Sequence, residues 1–332
     1  MSLTKGNSRA FGGVNVIFAR DFAQLPPINE SRLFGHINTR QRESTTYHQN
    51  VVFGKLLWLT VSTVIILHQP HRQIGAKNAR FLQLLSRLRE GRCTTEDFDL
   101  LNSRVVTNSN RIDFTTSPWH HIPIIIYNNA SKDALNEKAT AAFAQETGQQ
   151  LQWYYSDDKL QRSSVKDMAL IEHLTHLHSG ITQQRLGRIP LVLGMPVLVS
   201  QNFDVEGGIV NGSYGTVQHI RYCLDENRHC HLLSVIVHIP NSSEQPLENL
   251  PPHDLPILED TKTIKFTHPY SNKSCNLQRH QIPILPGFAM TAHRAQGQTM
   301  EHVIVDLQSC RGTEAPYVMI SHACSLEGLL IL

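Results

Sequence analysis

Six residues within a short stretch near the C-terminal end carry the densest chemistry of this chain: Thr291, His293, Arg294, Gln296, Gly297 and Thr299. Hydroxyl, imidazole, guanidinium and amide groups are donors to phosphate oxygens, and Gly297, lacking a Cβ, permits close backbone approach to such a ligand. The stretch is preceded by Pro286-Gly287-Phe288-Ala289-Met290 and followed by the apolar run Val303-Ile304-Val305-Asp306-Leu307. Residues of the same types also make ordinary polar turns between sheet strands.

Other positions offer related chemistry. In Asp21-Phe22-Ala23-Gln24-Leu25-Pro26-Pro27-Ile28, an amide such as Gln24 at the end of a buried strand is placed to bind a terminal phosphate or the water that attacks it. Taken alone, this segment reads equally as a Pro-rich turn. Arg72, followed by Gln73, offers the planar fork of donors that phosphate oxygens require; a solvated surface arginine is the alternative. Asn129, Lys132 and Asn136 sit at a strand end and the first turn of a helix, where amides and a lysine suit an anion as well as they suit plain capping. His229-Cys230-His231 beside Cys223 lacks the usual spacing of zinc ligands, so no metal site is assigned.

The elements that must position these groups follow from periodicity. Residues 14–18 and 63–67 read as short buried strands, each running directly into a candidate loop. Phe81, Leu84, Leu85 and Leu88 recur at helical spacing with Gly91 as a stop, and Thr94-x-x-Asp97 is an acidic capping box that opens the next helix. A strand over 123–127 precedes a helix from Ser131 to Gly148 with Leu135, Ala139, Ala142 and Phe143 as its apolar face. Strand–loop–helix alternation predicts α/β with a parallel sheet. From about 195 the pattern changes to short strands (195–199, 214–220, 232–239, 263–266), with a tight turn at Val210-Asn211-Gly212-Ser213 and a Pro-rich loop over 241–260. Residues 204–283 are thus expected to form a small β-barrel-like insertion.

The bulk properties set limits. The 332 residues suffice for one large domain or two to three small ones, and an apolar content of 40% suffices for packed cores. A net charge of +2 announces no nucleic-acid partner by itself, so any basic surface is local. Six scattered cysteines without a C-x-x-C pair are expected as free thiols of a reducing compartment. No apolar run approaches a membrane span, and no signal peptide opens the chain. A soluble, intracellular protein is expected.

Together, residues 11–18 with the Asp21–Pro27 loop, Arg72-Gln73, Gly194-Met195-Pro196-Val197 with Asn202, Val210–Val217, Pro286–Thr299 and Ala315–Leu329 resemble the superfamily 1 helicases of the Pif (petite integration frequency) type, including the helicase part of Helitron transposons. The resemblance spans roughly 11–332 and is weakest over 149–190 and 241–275. It implies a RecA-like fold of the P-loop NTPase type: a remnant of a first domain over 1–71, a second domain over 72–332, and an SH3-like insertion over 204–283.

The same resemblance implies ATP-driven 5′-to-3′ unwinding of DNA, with ATP and Mg2+ as the family's cofactors, single-stranded DNA as partner and the nucleus as the compartment. Asp21, Gln24, Arg72, Gln296 and Gly297 take the nucleotide-facing positions. Asn129, Lys132, Thr291, His293, Arg294 and Thr299 take the DNA-facing ones. Three departures stand out. Arg20 replaces a family glycine, Arg294 stands where lysine is commoner, and His322 replaces the arginine that stabilises charge on the transferred phosphoryl group.

No G-x-x-x-x-G-K-[ST] occurs in the chain. In the resemblance, that P-loop and the acidic magnesium-binding motif would precede Met1. A fragment inactive by itself is therefore expected. The alternative is a non-enzymatic module that binds single-stranded DNA weakly or pairs with an intact helicase.

Overall fold

The computed structural model describes residues 10–27, 32–36, 45–107, 112–161, 163–245, 247 and 249–332. Ile28, the last residue of the Gln24 loop, lies outside the described residues. The first third is helical: α1 (Thr46–Trp58), α2 (Ala79–Glu90) and α3 (Thr95–Asn102). The sequence positions α2 as its periodicity predicts. Phe81, Leu84 and Leu85 are buried, and Gly91 takes φ 69° to end the helix, a conformation that glycine adopts without a Cβ clash.

The Thr94–Asp97 capping box forms with both of its hydrogen bonds. Arg87 grips the same Asp97 carboxylate with two donors at 2.7 and 2.6 Å, tying α2 to α3. That fork, with the Thr94 amide, holds the Asp97 carboxyl well below the usual carboxylate range.

Next come β1 (Ile124–Ile126) and α4 (Asn129–Thr147), the latter capped by the Asn128 side chain accepting from the Ser131 amide at 2.7 Å. Gly148 closes α4 in the left-handed conformation, as predicted. A β-rich region follows: β2 (Gln152–Tyr155), β3 (Asp157–Leu160), β4 (Ser163–Ser164), α5 (Met168–Thr175), β5 (Arg188–Leu191), β6 (Pro196–Val199), β7 (Tyr214–Leu224), β8 (Cys230–His238), β9 (Asp254–Leu258), β10 (Asp260–Thr267), β11 (Ser274–Gln281) and β12 (Ile284–Pro286). The chain ends in β13 (Ala289–Thr291), α6 (Ala292–Ala295), β14 (Val303–Val305), α7 (Ala315–Ile320) and β15 (Leu329–Ile331).

The α/β part is a parallel sheet in the order β13-β1-β14-β15. Its strands are runs of Ile, Val, Leu, Ala and Met with hardly a polar residue, the pattern of strands covered on both faces. Leu25, α2 and α7 supply part of that cover, within one apolar cluster that includes Phe81, Leu84, Ile125, Val305 and Met319. The β-rich part forms two further sheets, β10-β11-β3-β4 and β12-β6-β7-β8-β2-β5, with β9 pairing β8. Arg279 is fully buried and braces one of them: it pairs with Asp158 through two donors at 2.8 and 2.6 Å and donates to the Leu174 carbonyl at the end of α5.

The structure differs from the sequence reading in four places. Residues 14–18 and 63–67, expected as buried strands, are irregular and exposed, with Ile17 at 93% and Leu67 at 90%. Among the described residues neither has a neighbouring strand, and an extended segment without a lateral partner satisfies its amides with water. Within 241–260 lies a strand, β9, despite Pro256. As an edge strand paired only to β8, it tolerates a residue with no N–H.

The buried stripe of α4 is Lys132, Asn136, Thr140, Phe143 and Ala144. Of the expected apolar face, Leu135 and Ala139 are half-buried and Ala142 is exposed. The polar stripe is inward because it has work there. Asn136 donates to the Ala289 carbonyl at 3.0 Å and accepts from the Ala289 amide at 2.7 Å, holding β13 in register. Finally, β2 pairs in parallel with β8 and β3 antiparallel with β11, so strands from 152 onward share their sheets with the 204–283 segment.

Candidate functional site

In an open parallel sheet the carboxyl ends of the strands face the site where ligands gather. β13 delivers its last residue, Thr291, to this edge, and α6 turns directly from it. After α6, Gly297 takes φ 88° with nothing within 4 Å of where a Cβ would be, so the exposed turn needs glycine for its backbone angle alone.

The Gln24 loop docks against this turn. Gln296 donates through Nε2 to Gln24 Oε1 at 2.5 Å, across 272 positions of sequence. His293 hydrogen-bonds the Pro26 backbone; burial pulls its imidazole below the ordinary range, and that bond pushes the other way. Leu25 plugs into the apolar cluster beneath.

The loop is internally braced as well. Asp21 accepts from the Ala23 amide at 3.0 Å and from Arg89 of α2 at 2.7 Å, and Arg20 donates to the Leu25 carbonyl at 3.0 Å. Arg20 is not among the described residues with positive φ, so this loop does not use the backbone freedom that glycine would supply.

A second segment approaches from the other side. Arg72 donates from Nε to Thr299 Oγ1 at 2.9 Å and from Nη1 to the Ser321 carbonyl at 2.7 Å. Gln73 is buried and donates to the carbonyls of Ser321 and Ala323 at 3.1 and 2.7 Å. Asn78 adds a bond to the Cys324 carbonyl at 3.2 Å. Burial lowers the Arg72 pKa, yet a guanidinium stays charged in water-accessible protein at any working pH.

Between these contacts lies His322, 2% exposed. Its Nδ1 bonds the Gln298 carbonyl at 3.0 Å, and its Nε2 is buried with no partner. Burial, with nearby Arg72 adding to it, lowers its pKa to about 4, so the ring is neutral at pH 7. In the position where a charge-stabilising side chain was expected, the chain therefore carries an enclosed, uncharged imidazole.

Two positions expected at a DNA backbone are enclosed or half-buried. Lys132 is 1% exposed, its ammonium bonded to Ser179 Oγ at 2.7 Å and paired with Asp133 at 2.9 Å. An enclosed ammonium already paired with a carboxylate has no surface to offer a phosphate. Asn129 is half-buried and accepts from the same Ser179 hydroxyl at 3.3 Å. Thr291 is buried at the end of β13, while Thr299 is exposed.

Arg294 is half-buried. Its Nη1 donates to Asn211 Oδ1 at 2.8 Å and to the Val199 carbonyl at 3.4 Å, joining α6 to the tight turn of the β-rich region. Desolvation, with Arg185 nearby, pulls its pKa down to about 10, so it remains a cation at pH 7. Gln73, Asn78, Gln298 and Asn211 were not singled out as site residues by type and spacing. Gln73 and Gln298 lay inside quoted motifs without a role of their own, and Asn211 was part of the turn that Gly212 completes with φ 102°.

Thus Gln24, His293, Gln296, Arg72, Thr299 and His322 converge on one seam, with Arg294 at its margin and Asn129 and Lys132 outside it. The seam offers amides, hydroxyls and two guanidinium groups, a donor set for phosphate oxygens. Asp21, its nearest expected carboxylate, is held by Arg89. The pattern G-x-x-x-x-G-K-[ST] does not occur in the 332 residues.

No protein-family model matches the chain. Among curated proteins it is similar to the ATP-dependent DNA helicase PIF1 of Xenopus laevis, 22% identical over 332 residues, which takes in 99% of this chain and 42% of that protein. It is also similar to the ATP-dependent DNA helicase PIF7 of Trypanosoma brucei brucei, 23% identical over 98% of this chain and 33% of that protein.

Among solved structures, the Pif1 helicase from Candida albicans superposes with a TM-score of 0.67 at 20% identity, covering 98% of this chain and 65% of that one. The Bacteroides Pif1 in complex with ADP-AlF3 and single-stranded DNA gives 0.63 at 20% identity, over 99% and 64% respectively. The fold is that of Pif1 helicase domains. The chain spans less than half the length of these curated relatives and just under two thirds of these solved chains.

Proposed function

We propose that these residues form the second RecA-like domain of a Pif-type DNA helicase, together with part of the first, and that their seam is one face of the motor's nucleotide and DNA site. The observation that carries this is the meeting of Gln24 with Gln296 at 2.5 Å. Two loops far apart in sequence present amides side by side at the carboxyl edge of a parallel sheet, where a terminal phosphate and a DNA backbone can both be read. Thr299, His293 and Arg294 supply donors for the strand, and Arg72 a cation for the phosphate. The activity of the whole motor is then ATP-driven 5′-to-3′ unwinding in nuclear DNA repair and recombination, in the Pif and Helitron manner.

In this reading the 332 residues by themselves bind single-stranded DNA weakly and do not turn over ATP. A motor needs donors on both faces of its nucleotide, and the cradle for the inner phosphates is not in this sequence. The exposed apolar segments around Ile17 and Leu67 favour a second role, pairing with an intact helicase whose sheet they would extend.

Phosphate release by the purified chain, with and without oligo-dT, is the test of the first reading. Release at background is expected, with a photoreactive oligo-dT crosslinking to the peptide that spans 291–299. DNA-stimulated release that scales with protein and vanishes in Gln24→Ala would overturn the claim of inactivity. Crosslinks confined to other segments would overturn the assignment of the seam.

A further inference from the structure

At the opposite end of the parallel sheet from the seam, two consecutive histidines face one carboxylate. His120 Nε2 lies 2.7 Å from Glu146 Oε1, and His121 Nε2 lies 3.4 Å from Glu146 Oε2. Donor atoms from all three residues fall within 4.8 Å of one another. We propose that His120, His121 and Glu146 are a site for a first-row divalent cation of the imidazole-preferring kind, with Zn2+ as its representative.

The backbone is what makes this constellation possible. Neighbouring residues in extended chain point to opposite sides. His121 instead takes φ 54°, a conformation that costs a non-glycine residue energy, and the two rings come to lie 3.7 Å apart on one side. His121 is fixed from behind by the rings of Phe143 on α4 and Phe288 ahead of β13, at 5.2 and 5.9 Å. Glu146 stands in the last turn of α4, where the helix dipole adds negative potential to the carboxylate. A carboxylate there is unfavourable without a cation, and favourable with one.

The donor set matches a known preference. Two imidazoles and one carboxylate are a recurrent three-ligand set for zinc, which takes them at roughly 2.0–2.2 Å and leaves a fourth position to water. Ligands of a tetrahedral ion sit about 3.3 Å apart, by geometry from those bond lengths. The separations of 2.7 and 3.4 Å bracket that value. Each side chain is between one third and one half exposed, so an ion has a path in and an open coordination position. Bound there, it would staple the segment before β1 to the C-terminal turn of α4, far from the seam. The expected consequence is stability of the α/β part.

Calorimetric titration of the chelator-treated full chain with Zn2+ tests this, together with the visible spectrum of the Co2+ form and melting curves with and without Zn2+. One equivalent is expected to bind, to give the absorption of a tetrahedral Co2+ centre, and to raise the melting temperature. Glu146→Gln and His121→Asn are each expected to weaken binding by about 10- to 100-fold or more and to abolish the melting shift. Asparagine is chosen because it tolerates positive φ. His229→Ala, in the other histidine-rich stretch, should change nothing. If Glu146→Gln fails a circular-dichroism check for folding, His120→Asn takes its place. Absence of binding by the wild type, or binding that survives the loss of these ligands, overturns the site and leaves a plain His–Glu ion pair.

Discussion

Between pH 6.5 and 4 the chain is expected to lose about 3 kcal/mol of stability through His322 alone. Its folded pKa of about 4 lies below the ordinary value of 6.5, which the unfolded chain regains. In that window the unfolded state takes up a proton that the folded state refuses, so stability rises with pH; each pKa unit is worth about 1.4 kcal/mol. The contribution is fully present above about pH 6.5 and is lost as pH falls toward 4. The ring is 2% exposed, so little solvent screening reduces the effect. His121 and His293 shift in the same direction and add to the slope. Comparing wild type with His322→Asn isolates position 322. Denaturant midpoints across the window should converge as pH falls, and parallel curves would show that His322 is solvated.

His322→Arg is expected to cost about 3–5 kcal/mol, the penalty of an uncompensated buried charge. The acceptor that position 322 meets is the Gln298 carbonyl, and Arg72 adds a like charge nearby. A guanidinium cannot escape by losing its proton. An anion in the seam would change the balance, so tripolyphosphate should restore much of the lost stability by supplying the missing counter-charge. In a protein that also contains a P-loop, the proposed placement of residue 322 beside the phosphoryl group predicts that the same substitution raises ATP turnover. Thermal melting with and without tripolyphosphate measures this. A variant that melts like wild type would mean that residue 322 is exposed and free of Arg72.

The contrast between what was legible in the sequence and what was not has a physical basis. Helix α2 and the capping box of α3 were readable because local rules decide them: apolar spacing, a left-handed glycine, a side chain that caps its own backbone. Of the parallel strands, β1 and β14 were readable from uninterrupted apolar runs, while the short β13 and β15 were not read as strands. Residues 14–18 and 63–67 carry the same signal and yet form no strand, because a strand needs a neighbour and apolar content does not supply one. The inward polar stripe of α4 was illegible for a related reason. Asn136 is buried to hold the backbone of Ala289, 153 positions away, and nothing local encodes that partner.

For the site, residue types marked the Gln24 loop, Arg72 and the 291–299 turn, which do converge. The same reasoning put Lys132 among the DNA-facing residues, whereas the structure buries it. A lysine in the first turn of a helix looks solvated until Ser179 and Asp133 are found to enclose it. Gln73 acts through carbonyls contributed by a distant turn and Gln298 through its own carbonyl, which His322 bonds, and these roles exist only once the chain is folded.

Binding of a fluorescent oligo-dT, followed by anisotropy at several salt concentrations, tests the central claim most directly. Micromolar or weaker affinity is expected, with a shallow slope of about 0.7 log units per phosphate contact and a reduction of both affinity and slope in Arg294→Ala. Arg294 also braces Asn211, so Asn211→Ala serves as the control that disturbs the brace and keeps the charge. No binding at low salt by a folded sample, or binding indifferent to Arg294→Ala, would contradict the claim that this seam faces single-stranded DNA.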